Sequence, residues 1–380
     1  MKTTQLLIEI GLEELPAIPF LKEQPFIESK WNKILQDNEC CVPFQFYSTP
    51  RRLCFIHDNF PLKQETKTVE FFGPPYSVAY KEGVATPAAE SFAKKCGVSL
   101  EQITTTLKDN KEVLYFSCEQ EGQEIAFLLE SMIATFLSSL SFGKAMRWGR
   151  LSQTFIRPIR WLCVMMDDTV VAMNIYGVES TATTRPHRSI SFDAIAINHT
   201  TEYEALLKEG KVIIDPQERR ESILNAFIAI EQSQGFCIER DDELLDEVVA
   251  ITEYPQVLVG TFDESFLMLP PEVIITSMKI NQRYFPIFKN GVLTHHFVVV
   301  SNAPLGQAQE IIRGNEKVLR ARLSDALFFY HNDTAKKLSI EPLKNVVYVE
   351  GLGSVYQKAL REKAIGAILS ELVPHLHRVH

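Results

Sequence analysis

Apolar positions along the chain follow two periods. Short runs in which aliphatic and aromatic residues crowd together predict strands at Gln5–Ile10, Leu53–Ile56, Val113–Cys118, Trp161–Met166, Val170–Ile175 and Phe297–Val300. Between them the spacing lengthens to that of a helix. From Glu124 to Met146, Ile125, Leu128, Leu129, Met132, Ile133, Phe136, Leu137 and Leu140 recur every three or four residues, interrupted by serines and threonines, as on an amphipathic core helix too polar to span a bilayer. Asp215 as cap, Pro216 in the first turn, Glu218 behind it and Gly235 as a stop predict a helix carrying Ile223, Leu224, Phe227 and Ile228 on one face. Asp241–Ile251 predicts another.

These signals group the chain. Residues 1–312 read as a mixed α/β region with a helical insertion at about 200–251. From Arg313 helices stand without intervening strands, with Val318, Leu319, Leu323, Ala326, Leu327 and Tyr330 on one and Ser354–Leu372 forming another. A boundary near 313 follows, with 313–380 as the beginning of a helical region. The overall class is α+β. Pro374–His380 follows a helical pattern that finds no completing partner, so the chain is expected to stop inside a helical domain.

Composition adds limits. With 380 residues, 46% hydrophobic and 23% charged, this is an ordinary globular chain of more than one domain. No secretory signal is read at the start, where polar Thr3-Thr4-Gln5 and then Glu9 interrupt the apolar run. The seven cysteines are scattered, several within apolar runs, without the spacing of a zinc site; buried thiols in a reducing cytosol are expected, with no bound metal.

The net charge of -9 argues against indiscriminate binding to nucleic acid, yet the positive charge is segregated. No acid lies between Glu130 and Asp167, where Lys144, Arg147, Arg150, Arg157 and Arg160 fall. Ser180–Ser191 holds Arg185, His187 and Arg188 without an acid, and Val273–Gln309 holds Lys279, Arg283 and Lys289. Arginine forks suit phosphate oxygens and stack on bases. They suit buried carboxylates equally, and Trp148 and Trp161 suit a core as well as a base, so both readings stand at this point. Glu13 and Glu14, adjacent after Gly11, are expected to cap a helix or accept arginine. No phosphate-binding loop occurs; Gly351-Leu-Gly353 lacks a third glycine, and Gly314-Asn-Glu-Lys317, expected just before a helix, is a weak anion signal. No nucleophile elbow is present.

Read together, LLIEIGLEELP (6–16), STPRRL (48–53), FFGPP (71–75), ATPAAESFAKKCG (85–97), KAMRWG (144–149), FIRPIRWL (155–162), TTRPHR (183–188), FDESFLMLPPEVIITSMKINQRYFPIF (262–288) and GNEKVLRARLSDALFFYHND (314–333) resemble the beta subunit of the bacterial two-subunit glycyl-tRNA synthetase. The resemblance implies a cytoplasmic ligase assembled from alpha and beta subunits as a heterotetramer. It implies glycine, ATP and Mg2+ at the alpha subunit, no cofactor and no catalytic residue in this chain, and glycine tRNA bound by beta, with no role at DNA or membranes. Family members continue through an HD-like helical domain to an anticodon-binding domain. The first region is expected to be similar to the B3/B4 module of phenylalanyl-tRNA synthetase. Expected tRNA contacts are Arg147, Arg150, Arg185, His187, Arg188 and Arg283, with Arg51 and Arg52 second. Pro186 stands where the family has glycine, which leaves the role of TTRPHR open. Two rivals remain: a hydrolytic, editing-like module using Thr183, Thr184 and His187, and a scaffold that docks alpha without touching RNA.

Overall fold

The computed structural model describes residues 2–81, 83–109, 111–303 and 306–372; Pro374–His380 lies outside them. It opens on β1 (Thr3–Leu12), a strand buried on both faces. Because side chains alternate across a strand, Leu6, Ile8 and Ile10 enter one core and Leu7 and Glu9 face another. The first core is covered by α1 (Ala17–Asp37). Its local signals are weak, since Pro25 lies in its middle and Pro16 supplies no capping side chain. Burial of Phe20, Ile27, Trp31 and Leu35 outweighs those local signals.

Next come β2 (Gln45–Thr49) and β3 (Arg52–Pro61), then an excursion formed by β4 (Lys67–Pro75), α2 (Pro87–Cys96), β5 (Thr104–Lys108) and β6 (Lys111–Gln120). The chain returns through α3 (Leu129–Ser139), shorter than its apolar pattern, and enters β7 (Ile159–Met166) and β8 (Thr169–Val170). One antiparallel sheet results, in the order β8-β7-β1-β3-β2; the excursion has its own, β4-β6-β5. Val170–Ile175, expected as one strand, is two short ones at Thr169–Val170 and Asn174–Ile175.

The chain then forms α4 (Tyr203–Glu209), whose Tyr203 and Leu207 join Leu7, Cys54 and Cys163 on the other face of the first sheet. It next enters a second body: α5 (Pro216–Gln234), β9 (Cys237–Ile238), α6 (Asp242–Ile251), β10 (Gln256–Thr261), β11 (Phe285–Lys289) and β12 (Val292–Ser301). Asp215 accepts from the Gln217 amide at 2.8 Å and Gly235 closes α5 at φ 66°, as the sequence signals. The sheet order is β9-β11-β12-β10, all antiparallel. Phe227, Leu245 and Val248 of α5 and α6 meet Phe285, Ile287 and Val298 on one face. α5 and α6 therefore cover one face of this sheet, with its edge strand, β9, between them in the chain.

The opposite face receives Leu319 and Leu323 of α7 (Ala308–Ala335). The position near 313 thus falls inside a helix whose buried face belongs to the sheet body. Gly314-Asn-Glu-Lys317 does not precede a helix: it is helical, and its side chains tie α7 to the sheet. Tyr284 donates its hydroxyl to Asn315 Oδ1 at 2.6 Å, and the Thr261 amide donates to Glu316 Oε1 at 2.9 Å. Its amides are committed to the helix and offer no anion site. α8 (Val355–Leu372) ends the described chain and buries no residue. No helix among the described residues is long and apolar enough to cross a membrane.

Candidate nucleic-acid interface

The ends of β1, β3 and β7 meet beside the TTRPHR loop. Gly11 of β1 lies opposite Trp161 of β7, and a Cβ on Gly11 would fall within the indole ring. Only glycine allows this ring position. Trp161 is buried, and the guanidinium carbons of Arg51 and Arg52 lie 5.3 and 5.6 Å from its ring centroid, within cation–π reach.

Arg52 is fully buried between Glu9 and Glu253, with N···O separations of 3.3 Å to each, and donates to the Arg185 carbonyl at 3.0 Å. Thr184 donates to Glu9 at 2.9 Å and Thr49 to Glu253 at 2.8 Å. Burial pushes the Glu9 carboxyl above its ordinary pKa, and the Arg52 charge pulls it back in part. Burial also opposes the Arg52 charge, but Glu253 and Glu9 outweigh it and hold the guanidinium above its ordinary value. Arg219, buried as well, donates to the carbonyls of Ser48, Ile213, Ile214 and Val249. This polar core fixes β1, β3, the TTRPHR loop and α5 to one another.

Above it opens a cavity of about 320 Å³. Arg51, Arg160, Arg185 and Arg188 line it, with Trp161 and Phe192 as aromatic walls and Glu13 at the edge. Arg160 pairs with Glu13 at 3.1 Å and Arg188 with Glu14, both at the surface. Arg51 stands 3.8 Å from Glu253, and burial lowers its pKa. Arg185 donates to the Phe192 carbonyl at 3.1 Å and has no ion pair among the described residues. Four guanidinium groups against two surface carboxylates make a cationic, aromatic-walled opening suited to phosphate oxygens. Among the described residues no three His, Cys, Asp or Glu side chains are placed to hold a metal.

The family pattern described as Glycyl-tRNA synthetase beta subunit matches residues 6–379. The chain belongs to that family. It is 41% identical over 387 residues to the Glycine--tRNA ligase beta subunit of Helicobacter pylori (strain HPAG1), covering 98% of the chain and 55% of the relative. For the subunit of the same name from Syntrophus aciditrophicus (strain SB) the identity is 38%, with the same coverage. For that of Clostridioides difficile (strain 630) it is 35%, over 97% of the chain and 54% of the relative. The chain thus spans about half the length of these relatives.

Within this family member the expected contacts separate into groups. Arg51, Arg185 and Arg188 share the cavity, joined by Arg160, which the sequence reading left between anion binding and structural pairing. Arg52 and His187 need correction: both are buried, at 0% and 1% exposure, and neither reaches a ligand at the surface. Arg52 is spent on Glu9 and Glu253. The His187 amide donates to the Gly210 carbonyl at 2.8 Å and its Nδ1 accepts from the Ser189 amide at 3.2 Å, so its ring shapes the loop from inside. Pro186 packs on Gly210. Arg147 and Arg150 lie apart, exposed on a loop closed by pairing of Met146 with Phe155, and neither has an ion pair among the described residues. Arg283 belongs elsewhere, its Nε donating to Glu247 at 2.5 Å beside α6.

The editing constellation does not assemble. Thr184 and His187 are buried, Thr183 pairs with Thr181 at 2.8 Å, and none of the three lines the cavity. Of the two expectations for Glu13 and Glu14, accepting arginine is the one observed. Glu9, Glu253 and Phe192 are the residues that the sequence reading missed. Glu9 carried a signal, as a lone acid inside an apolar strand. Glu253 and Phe192 carried none.

Proposed function

We propose that this chain is the tRNA-receiving part of a glycyl-tRNA synthetase beta subunit. The supporting observation is the convergence of Arg51, Arg160, Arg185 and Arg188, from three separate segments, on one opening walled by Trp161 and Phe192. Phosphate groups of glycine tRNA exchange with Glu13 and Glu14 for Arg160 and Arg188. Surface ion pairs of this kind are worth only about 0–1 kcal/mol, so the exchange costs little. The buried Glu9–Arg52–Glu253 core holds the rim in place, which presents the arginines to RNA without ordering them anew on binding. Arg147 and Arg150 extend the cationic surface on their loop. Formation of glycyl-adenylate from ATP with Mg2+ and transfer to tRNA belong to an alpha subunit, in a cytoplasmic heterotetramer.

The test is tRNA binding across a range of salt concentrations, comparing Arg188→Glu and Arg160→Glu with Lys208→Glu. Loss of one phosphate contact reduces the slope of log affinity against log salt by about 0.7–0.9. The rim variants should show this change and Lys208→Glu should not. Equal slopes in all three would refute the reading.

A further inference from the structure

The excursion between β3 and α3 leaves the main body and returns to it at one neck. A backbone β-bridge joins Lys63 to Glu124 there, and the Gln64 amide donates to the Gln123 carbonyl at 2.9 Å. Between them β4, β6, β5 and α2 pack chiefly among themselves around Ala79, Ala89, Phe92 and Leu114. Phe71 and Phe116 face that core. The strand alternation therefore turns the neighbouring residues Phe72 and Tyr115 to the opposite face.

That face is built unlike a core. Phe72 and Tyr115 are cross-strand partners with ring centroids 5.4 Å apart, and Phe72 remains 43% exposed. The Lys108 ammonium lies 4.1 Å from the Phe72 ring centroid, and Lys111 is its cross-strand partner at the hairpin end. Thr104 lies opposite Tyr115 on the other side, and Ser117 follows two residues along β6. Tyr115 donates its hydroxyl to Glu70, which orients the ring. The exposed Phe72 ring, the half-buried Tyr115 ring, hydroxyls and cations at one end form a surface suited to planar bases strung on phosphates. An aliphatic partner would find few apolar side chains beyond the two rings.

We propose that this face binds a single-stranded segment of RNA. One base stacks on Phe72 in place of the Lys108 ammonium, the next stacks on Tyr115, and Lys108 and Lys111 meet the adjoining phosphates. Glu70, held by the Tyr115 hydroxyl, and Glu119 beyond it confine the phosphate contact to the lysine end. A duplex has no free base faces to offer, so the face selects unpaired nucleotides. This inference rests on the reading that the chain meets tRNA, and it names the part of an RNA that the excursion recognises.

The experiment measures fluorescence anisotropy of the full chain with two labelled probes of equal length, a mixed-sequence single-stranded RNA and an RNA duplex. Phe72→Ala should weaken single-strand binding roughly 5- to 100-fold and leave duplex binding unchanged. Lys108→Glu, at an exposed position outside the buried cores, tests the same face with less risk to folding and should also weaken single-strand binding. Arg188→Glu should weaken duplex binding. Single-strand affinity indifferent to both Phe72→Ala and Lys108→Glu, with duplex affinity sensitive to Arg188→Glu, overturns this inference and leaves the arginine cavity standing. The converse pattern sinks the cavity and upholds the sheet face. Self-association that Phe72→Ala abolishes, with RNA binding unchanged, would reassign the face to a second copy of the chain.

Discussion

Gly11 and Trp161 face each other across the β1–β7 ladder so closely that the indole occupies the space where any other residue would place its Cβ. Through this contact a backbone position decides where an aromatic ring lies, and the ring decides where Arg51 stacks. Gly11→Ala is therefore expected to displace Trp161, at a cost of about 1–3 kcal/mol for forced repacking. Gly314→Ala is the control, since its Cβ would meet nothing within 4 Å on the exposed side of α7. It should stabilise by roughly 0.5–1 kcal/mol. Urea denaturation of both variants, with Trp fluorescence as readout, checks the pair; equal stability for Gly11→Ala and the parent chain would contradict the ring placement.

Removing the charge of Arg52 should be among the most damaging single changes. Arg52→Met leaves Glu9 and Glu253 buried without their cation, and breaking a buried pair in this way costs about 3–5 kcal/mol. Adding Glu9→Gln should recover part of the loss. A double variant no more stable than Arg52→Met alone would show that Glu9 carries no charge there.

Acid sensitivity should come in part from His57. Its ring is buried, Trp31 Nε1 donates to its Nε2 at 3.1 Å, and burial lowers its pKa from 6.5 to about 4. The unfolded chain binds the proton first as pH falls, so this contribution is complete above pH 6.5 and is lost progressively down to about pH 4. The full loss is about 3 kcal/mol. His57→Gln, which keeps an acceptor for Trp31, should flatten the stability profile over that interval; an unchanged profile by chemical denaturation at stepped pH would exclude the buried neutral imidazole.

Glu9 works in the opposite direction. Because its folded pKa is raised, the folded chain holds the proton more tightly, and stability falls as pH rises through the ordinary carboxylate range towards the raised value. In Glu9→Gln that falling component should vanish. Its persistence in the variant would assign it to another group.

Leu323→Ala should destabilise the second sheet body by about 2–5 kcal/mol, because its side chain is fully buried against Phe297 and Val299 rather than shared with α8. Hydrogen exchange offers the sharper readout. Faster exchange in β12 together with α7 is expected; acceleration confined to α7 and α8 would place the helix in a separate unit.

Sequence alone determined those features whose cause is local. Asp215, Pro216 and Gly235 delimit α5 because capping and positive φ act within a few residues. The apolar runs of β1, β3 and β7 mark strands whether or not their partners are known. The segregation of arginine from acid and the family-specific strings are likewise properties of the linear chain, and they lead to the same family as the comparisons with relatives. Tertiary structure decided what depends on distant partners. It turned α1 into a helix despite Pro25, through the burial of Trp31 and Ile27. It put Gly314–Lys317 inside α7, because Leu319 and Leu323 find their cover on a sheet formed earlier in the chain. Above all it separated arginines that look alike in sequence: Arg51 and Arg52 are neighbours, yet strand alternation and the carboxylates of Glu9 and Glu253 bury one and leave the other at the cavity. A guanidinium pairs with whichever anion the fold brings within reach, and Glu253 lies some two hundred residues from Arg52 along the chain.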